Sequence, residues 1–169
     1  MSAPLLAVEG LRVEFPANAS TLTALDDVSF TIGAGEVLGV VGESGAGKSL
    51  TGAALLGLID PPGRVTAGRM RFNGQWVDLQ GPGTFALRGR HIGAIFQDPL
   101  TALDPLFTVG QQLVETLRMH LPLGARQARL RAAELLYETG IADAEARLDQ
   151  YPHQFSGGMR QRVMIAMAL

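Results

Sequence analysis

Residues 42–49 read Gly42-Glu43-Ser44-Gly45-Ala46-Gly47-Lys48-Ser49. Glycines five positions apart followed by Lys-Ser form the pattern of a phosphate-binding loop. The glycines let successive backbone N–H groups turn toward one concavity, and a helix that follows adds the positive end of its dipole. In such a loop Lys48 places a compact ammonium between the β- and γ-phosphates, and Ser49 offers its hydroxyl to Mg²⁺. The composition bears on the same residue. Of 14 basic side chains one is lysine, Lys48, and the rest are arginine. A planar guanidinium is too large to act as a point charge in so small a ring, which explains why lysine persists here alone.

The flanks suit the loop. Val37–Val41 is a continuous apolar run, expected as a strand buried on both faces of a parallel sheet. Leu50–Ile59 reads as the following helix, stopped by Asp60-Pro61-Pro62-Gly63. Upstream, Leu5–Phe15 reads as a strand. Leu25–Ile32 is a second, with Val28, Phe30 and Ile32 on one face and Asp27, Ser29 and Thr31 on the other, and Asn18–Thr23 is the connection. Downstream, Arg69–Phe72, the Asn73-Gly74 turn and Trp76–Leu79 read as a hairpin, with Trp76 packing beside the turn. Gly81–Gly83 is loop, and His91–Phe96 is an apolar strand ending at Gln97. The texture then turns helical. Val109, Leu113, Leu117 and Leu121 recur every four residues, and Arg126–Thr139 gives a second helix with Leu130, Ala133 and Tyr137 on its stripe. The expected division is an α/β core over residues 1–98 and a helical subdomain over 99–169.

The chain has 169 residues, 47% of them hydrophobic and 18% charged, enough for a packed core and unlike a disordered tail. It has no cysteine, which excludes disulfides, thiolate metal sites and a cysteine nucleophile. The net charge of −2 does not suggest a nucleic-acid binder. No apolar stretch approaches the ~20 residues of a bilayer helix, and Met1–Gly10 does not resemble a signal peptide, so the expected compartment is the cytoplasm. His91, His120 and His153 lack metal-ligand spacing. Asp143, Glu145, Asp149, Arg126, Arg129 and Arg131 read as solvated surface.

A second glycine pair lies in Phe155-Ser156-Gly157-Gly158-Met159-Arg160-Gln161-Arg162. Ser156 is a good N-cap, and the glycines permit close backbone approach at a helix start. Alone this is a capped helix after a turn. With the loop at Gly42–Ser49, the strand ending in Gln97 and the helical insertion, it resembles the ATP-binding subunits of ABC transporters, over nearly the whole chain. Segments 95–105 (IFQDPLTALDP) and 151–162 (YPHQFSGGMRQR) are similar to the dipeptide/oligopeptide and nickel importer branch. Where the family at large has Leu and Gln, this chain has Phe155 and Met159, as that branch does.

The resemblance implies a P-loop NTPase of ABC type, a mixed-sheet core with a helical subdomain, that binds ATP with Mg²⁺. It implies phosphate binding by Gly42, Ser44, Gly45, Gly47, Lys48 and Ser49, with Ser49 and Gln97 at the metal and Lys48 and Gln97 serving catalysis. Phe15 falls where the family stacks an aromatic on adenine; packing in the core is the equal alternative. Ser156, Gly157 and Gly158 match the signature that touches the γ-phosphate held by an opposite subunit, which implies a head-to-tail dimer. Permease transmembrane subunits and, indirectly, an extracytoplasmic solute-binding protein are the other expected partners, and nucleic acid is not. The implied location is peripheral, on the cytoplasmic face of the inner membrane.

The family's apolar strand ending in Asp-Glu, and its later histidine, have no counterpart after residue 156. The chain is therefore expected to be a truncated, N-terminal fragment that does not turn ATP over, with Val37–Val41 left partly unpaired. Two rival classes are a non-transport ABC ATPase of DNA repair or chromosome upkeep and a nucleotide-binding regulator. The short helical insertion, without long heptads or zinc cysteines, argues against the first.

Overall fold

The computed structural model describes residues 3–17, 20–98 and 102–169. The chain forms two compact units, Met1–Arg88 and Gly89–Leu169.

The first unit is built on a four-stranded antiparallel sheet in the order β2-β1-β3-β4. Strand β1 (Leu6–Ala17) forms a hairpin with β2 (Ser20–Ile32), so Ser20–Thr23, expected in the connection, belong to the strand, while residues 18 and 19 lie outside the described residues. On β2 the alternation holds: Val28, Phe30 and Ile32 are half-buried and Asp27, Ser29 and Thr31 exposed. β3 (Arg64–Phe72) pairs with the other edge of β1 and turns into β4 (Gln75–Val77). Asn73 (φ 47°) and Gly74 (φ 80°) give that turn the two left-handed residues a tight hairpin needs. Val8, Leu11, Val13, Leu25, Met70 and Leu79 form the core, with Ala54 of the first helix set into it.

Helix α1 (Lys48–Leu55) follows the loop and is shorter than the apolar pattern suggests. Its stop is Gly57 rather than Asp60-Pro61-Pro62-Gly63. Gly57 (φ 61°) donates its N–H to Ala54 O, and Leu58 reaches back to Ala53 O, closing a Schellman turn. A Cβ at Gly57 would strike Thr84 and Arg88, so glycine is required by space as well as by dihedral. Gly81–Gly83 also departs from the expected loop, since Pro82–Thr84 make a turn of 3-10 helix.

Val37–Val41 does not form the expected buried strand. It lies outside any strand and is exposed, with Val37 94% and Val41 93% accessible. His91–Phe96 likewise lacks a ladder apart from an isolated bridge at Ile92, and Ile95 and Phe96 are half-exposed. Both runs carry the composition of interior strands, but no strand among the described residues pairs with them. A strand cannot be buried without a neighbour to take up its N–H and C=O groups.

Trp76 departs from the packing expectation too. It lies on a three-residue edge strand and is 58% exposed, with the guanidinium carbons of Arg69 and Arg71 4.9 and 5.8 Å from its ring centroid. Arginine, not core, covers the indole.

The second unit is helical: α2 (Val109–His120), α3 (Ala125–Glu138), the short α4 (Ala144–Arg147) and α5 (Gly157–Ala168). Thr108 and Gln111 make a reciprocal capping box at the start of α2. The buried face of α3 is Ala128, Ala132, Leu135 and Leu136. The stripe expected there was wrong: Leu130 and Tyr137 are exposed and Ala133 is half-buried. Two small alanines and the adjacent Leu135 and Leu136, not Leu130 and Tyr137, face inward. Ala132, Leu135 and Leu136 join Val109, Leu113, Ile141, Leu148, Phe155 and Val163 in one core.

Candidate nucleotide-binding site

The loop at 42–47 bends through Gly45 (φ 85°) and Gly47 (φ 83°), conformations that L side chains rarely adopt. Gly47 is also pressed against β2: a Cβ there would collide with Leu25, itself 4% exposed, and come within 3.4 Å of Ala24 O. The buried face of β2 thus sets where α1 begins. Gly47 is the N-cap of α1, and no side chain caps that end. The first-turn N–H groups consequently keep their demand for an acceptor. Thr51 ties the turn down from within, its hydroxyl and its N–H both donating to Gly47 O at 3.0 and 2.8 Å.

Lys48 folds back over the loop. Its ammonium donates to Gly42 O at 2.8 Å and Glu43 O at 2.7 Å, which fixes the cation beside the uncapped helix end. Ser44 and Ser49 are exposed, and Gly45 has open space where a Cβ would lie. Uncapped N–H groups, one tethered cation and an accessible hydroxyl make a donor set for a polyphosphate and for the metal that accompanies it.

Phe15 is half-buried at the edge of the sheet core, its ring against Gly63 and Ile59. A Cβ on Gly63 would strike the ring, so one side of Phe15 is packed. Gln97 sits in an exposed bend of the second unit. Of the segment around it, residues 99–101 lie outside the described residues.

The second glycine pair opens α5. Ser156 is its N-cap and accepts from Met159 N at 3.3 Å, and Arg160 N donates to Ser156 O at 2.9 Å. Phe155 is buried, 3% exposed, in the helical core, and Met159 packs on the same core. The two residues that set this chain's branch apart thus anchor the start of α5. Gly157 and Gly158 are exposed, and a Cβ at either would meet nothing within 4 Å.

Among the described residues no group of three His, Asp or Glu side chains is placed to hold a metal ion. Arg129 pairs with Asp149 and Arg131 with Glu138 and Glu134. Their hydrogen bonds to those carboxylates raise both arginines above the usual pKa. No helix among the described residues is long and apolar enough to cross a membrane. One residue that touches α1 escaped sequence reading: Arg88, which donates to the carbonyls of Leu56 and Gly57. It lies 32 and 31 residues from its acceptors, and nothing in the local pattern marks it.

An uncapped helix behind a glycine loop with its lysine, set against a sheet, defines a phosphate-loop nucleotide-binding protein. The sequence pattern described as ABC transporter matches residues 25–169, and the chain belongs to that family. It is 48% identical over 168 residues to the dipeptide transport ATP-binding protein DppD of Escherichia coli (strain K12), covering 98% of this chain and 51% of that protein. It is 46% identical over 166 residues to the oligopeptide transport ATP-binding protein OppD of Salmonella typhimurium, covering 98% of this chain and 49% of that protein. The chain spans about half the length of the curated relatives it matches. Among solved structures it is similar to the ATP-binding cassette MJ0796, in a dimeric post-hydrolysis state bound to ADP and Pi. That match has a TM-score of 0.83 and 26% identity, covering 97% of this chain and 68% of that one.

Proposed function

We propose that this chain is part of an ATP-binding subunit that energises import of peptides. The carrying observation is the Lys48 ammonium, gathered by Gly42 O and Glu43 O onto a helix end that no side chain caps. An anion with several oxygens satisfies that end and competes for the ammonium. ATP supplies such an anion, and peptide-import ATP-binding proteins are 46–48% identical over nearly all of this chain.

In this reading Gly42, Ser44, Gly45 and Gly47 shape the phosphate cradle, Lys48 neutralises β- and γ-phosphate charge and Ser49 holds Mg²⁺. By the family resemblance, the amide of Gln97 would contact that metal and orient the attacking water. Mg²⁺ supplies charge neutralisation on the phosphate oxygens. Ser156, Gly157 and Gly158 present a backbone surface to the γ-phosphate held by a second ATP-binding subunit, and the open space over both glycines suits an approach so close. Closure of the two subunits on ATP, and opening after hydrolysis, is passed to permease subunits through the segment around Gln97. A solute-binding protein delivers the peptide outside the membrane, and the ATP-binding subunits lie on the cytoplasmic face.

The test is ATP-driven uptake of a labelled short peptide into vesicles holding the complete transporter. Uptake is expected to vanish with Lys48→Ala. Undiminished uptake in that variant would overturn the reading.

A further inference from the structure

Helix α1 has eight residues, and of these Ala54 alone is fully buried, with Leu50 and Leu55 packed partly against the core. So small a buried face leaves much of the helix's placement to its ends. The N-terminal end is set by Gly47 against Leu25. Among the described residues, the side chain that hydrogen-bonds the C-terminal end is Arg88. Its Nε donates to Leu56 O and its Nη2 to Gly57 O, both at 2.5 Å, the two consecutive carbonyls inside the Schellman turn. The guanidinium lies 4.2 Å from the centroid of the Phe85 ring, which fixes its plane. A cation at this position also complements the negative end of the helix dipole. Nε and Nη2 reach the two carbonyls from separate, fixed positions on one planar group, a geometry that a single ammonium nitrogen does not reproduce.

We propose that Arg88 is a positioning residue for the phosphate loop. By clamping the C-terminal end of α1 it fixes the direction in which the first-turn N–H groups and Lys48 face a nucleotide, though it lies at the opposite end of the helix. This rests on reading Gly42–Ser49 as the phosphate site.

The test compares Arg88→Met, Arg88→Lys and Phe85→Leu with the parent in the full-length protein. The readouts are dissociation constants for MgATP and for magnesium tripolyphosphate, the thermal midpoint, and amide hydrogen exchange at Lys48–Thr51. Arg88→Met is expected to weaken both ligands by the same factor, roughly five- to twentyfold, the scale of charge-assisted hydrogen bonds lost. Faster exchange at Lys48–Thr51 accompanies it. Arg88→Lys recovers part of the affinity. Phe85→Leu, which leaves the hydrogen bonds in place and frees the guanidinium plane, weakens binding about twofold and serves if Arg88→Met does not fold. A lower thermal midpoint with unchanged affinity per folded molecule means a purely structural clamp and overturns the proposal. So does weaker MgATP with unchanged tripolyphosphate. Failure of the parent protein to bind either ligand overturns the phosphate-site reading itself, and this proposal with it.

Discussion

Helices α1 and α5 both begin at glycines, yet their beginnings are opposites. At α1 no side chain caps the end, the backbone is forced into the left-handed region at Gly47, and a lysine waits beside the free N–H groups. At α5 Ser156 satisfies the Met159 N–H, and Gly157 and Gly158 stand under open space. The α1 end is left uncapped, so a ligand can satisfy it. The α5 end has one of its N–H groups capped by its own chain, and what it adds is access. In the proposed reading, two glycine-led helices would meet phosphate in different ways, by demand in the first and by closeness in the second.

The difference can be broken most severely at Lys48. Lys48→Ala removes the cation and is expected to weaken MgATP binding roughly a hundredfold or more, since two charge-assisted contacts at about 1.5–3 kcal/mol each are lost. Titration with a fluorescent ATP analogue measures it. Next is Gly47→Ala, expected to cost about 1–3 kcal/mol of stability from the left-handed backbone alone, read by denaturant unfolding. The Leu25 collision adds to that, and affinity falls as the start of α1 shifts. Smaller is Ser156→Ala, which removes a cap worth about 1 kcal/mol and should leave MgATP affinity at the loop unchanged. An affinity loss there would erase the contrast between the two ends. The smallest stability effect belongs to Gly158→Ala, near zero or stabilising by up to about 1 kcal/mol, because the added methyl meets nothing and alanine suits a helix better. That variant sharpens the contrast: a thermal midpoint that holds while ATP-driven transport falls is the mark of a surface kept bare for close approach.

What could be read from the residues was local. The loop, the Asn73-Gly74 turn and the capped start of α5 each lie within a few positions, and their chemistry is set by backbone dihedrals and neighbouring donors. What misled was remote or relative. Val37–Val41 has an interior strand's composition, but pairing belongs to a neighbour and not to the run itself. The stop of α1 looked like Pro61-Pro62, whereas Gly57, braced by Thr84 and Arg88, ends it earlier. On α3 the large Leu130 and Tyr137 drew the stripe to the wrong side, because close helix packing favoured Ala128 and Ala132. Phe15 was legible as aromatic, and its contact with Gly63 only from the fold.

The arginine-flanked Trp76 has a practical consequence. It is the one tryptophan of the chain, and it sits in the sheet unit; both tyrosines, Tyr137 and Tyr151, sit in the helical unit. Indole emission therefore reports the β3–β4 hairpin and is blind to α2–α5, while tyrosine signals do the reverse. A single urea titration followed at both chromophores resolves whether the two units melt together or one after the other, with no label added.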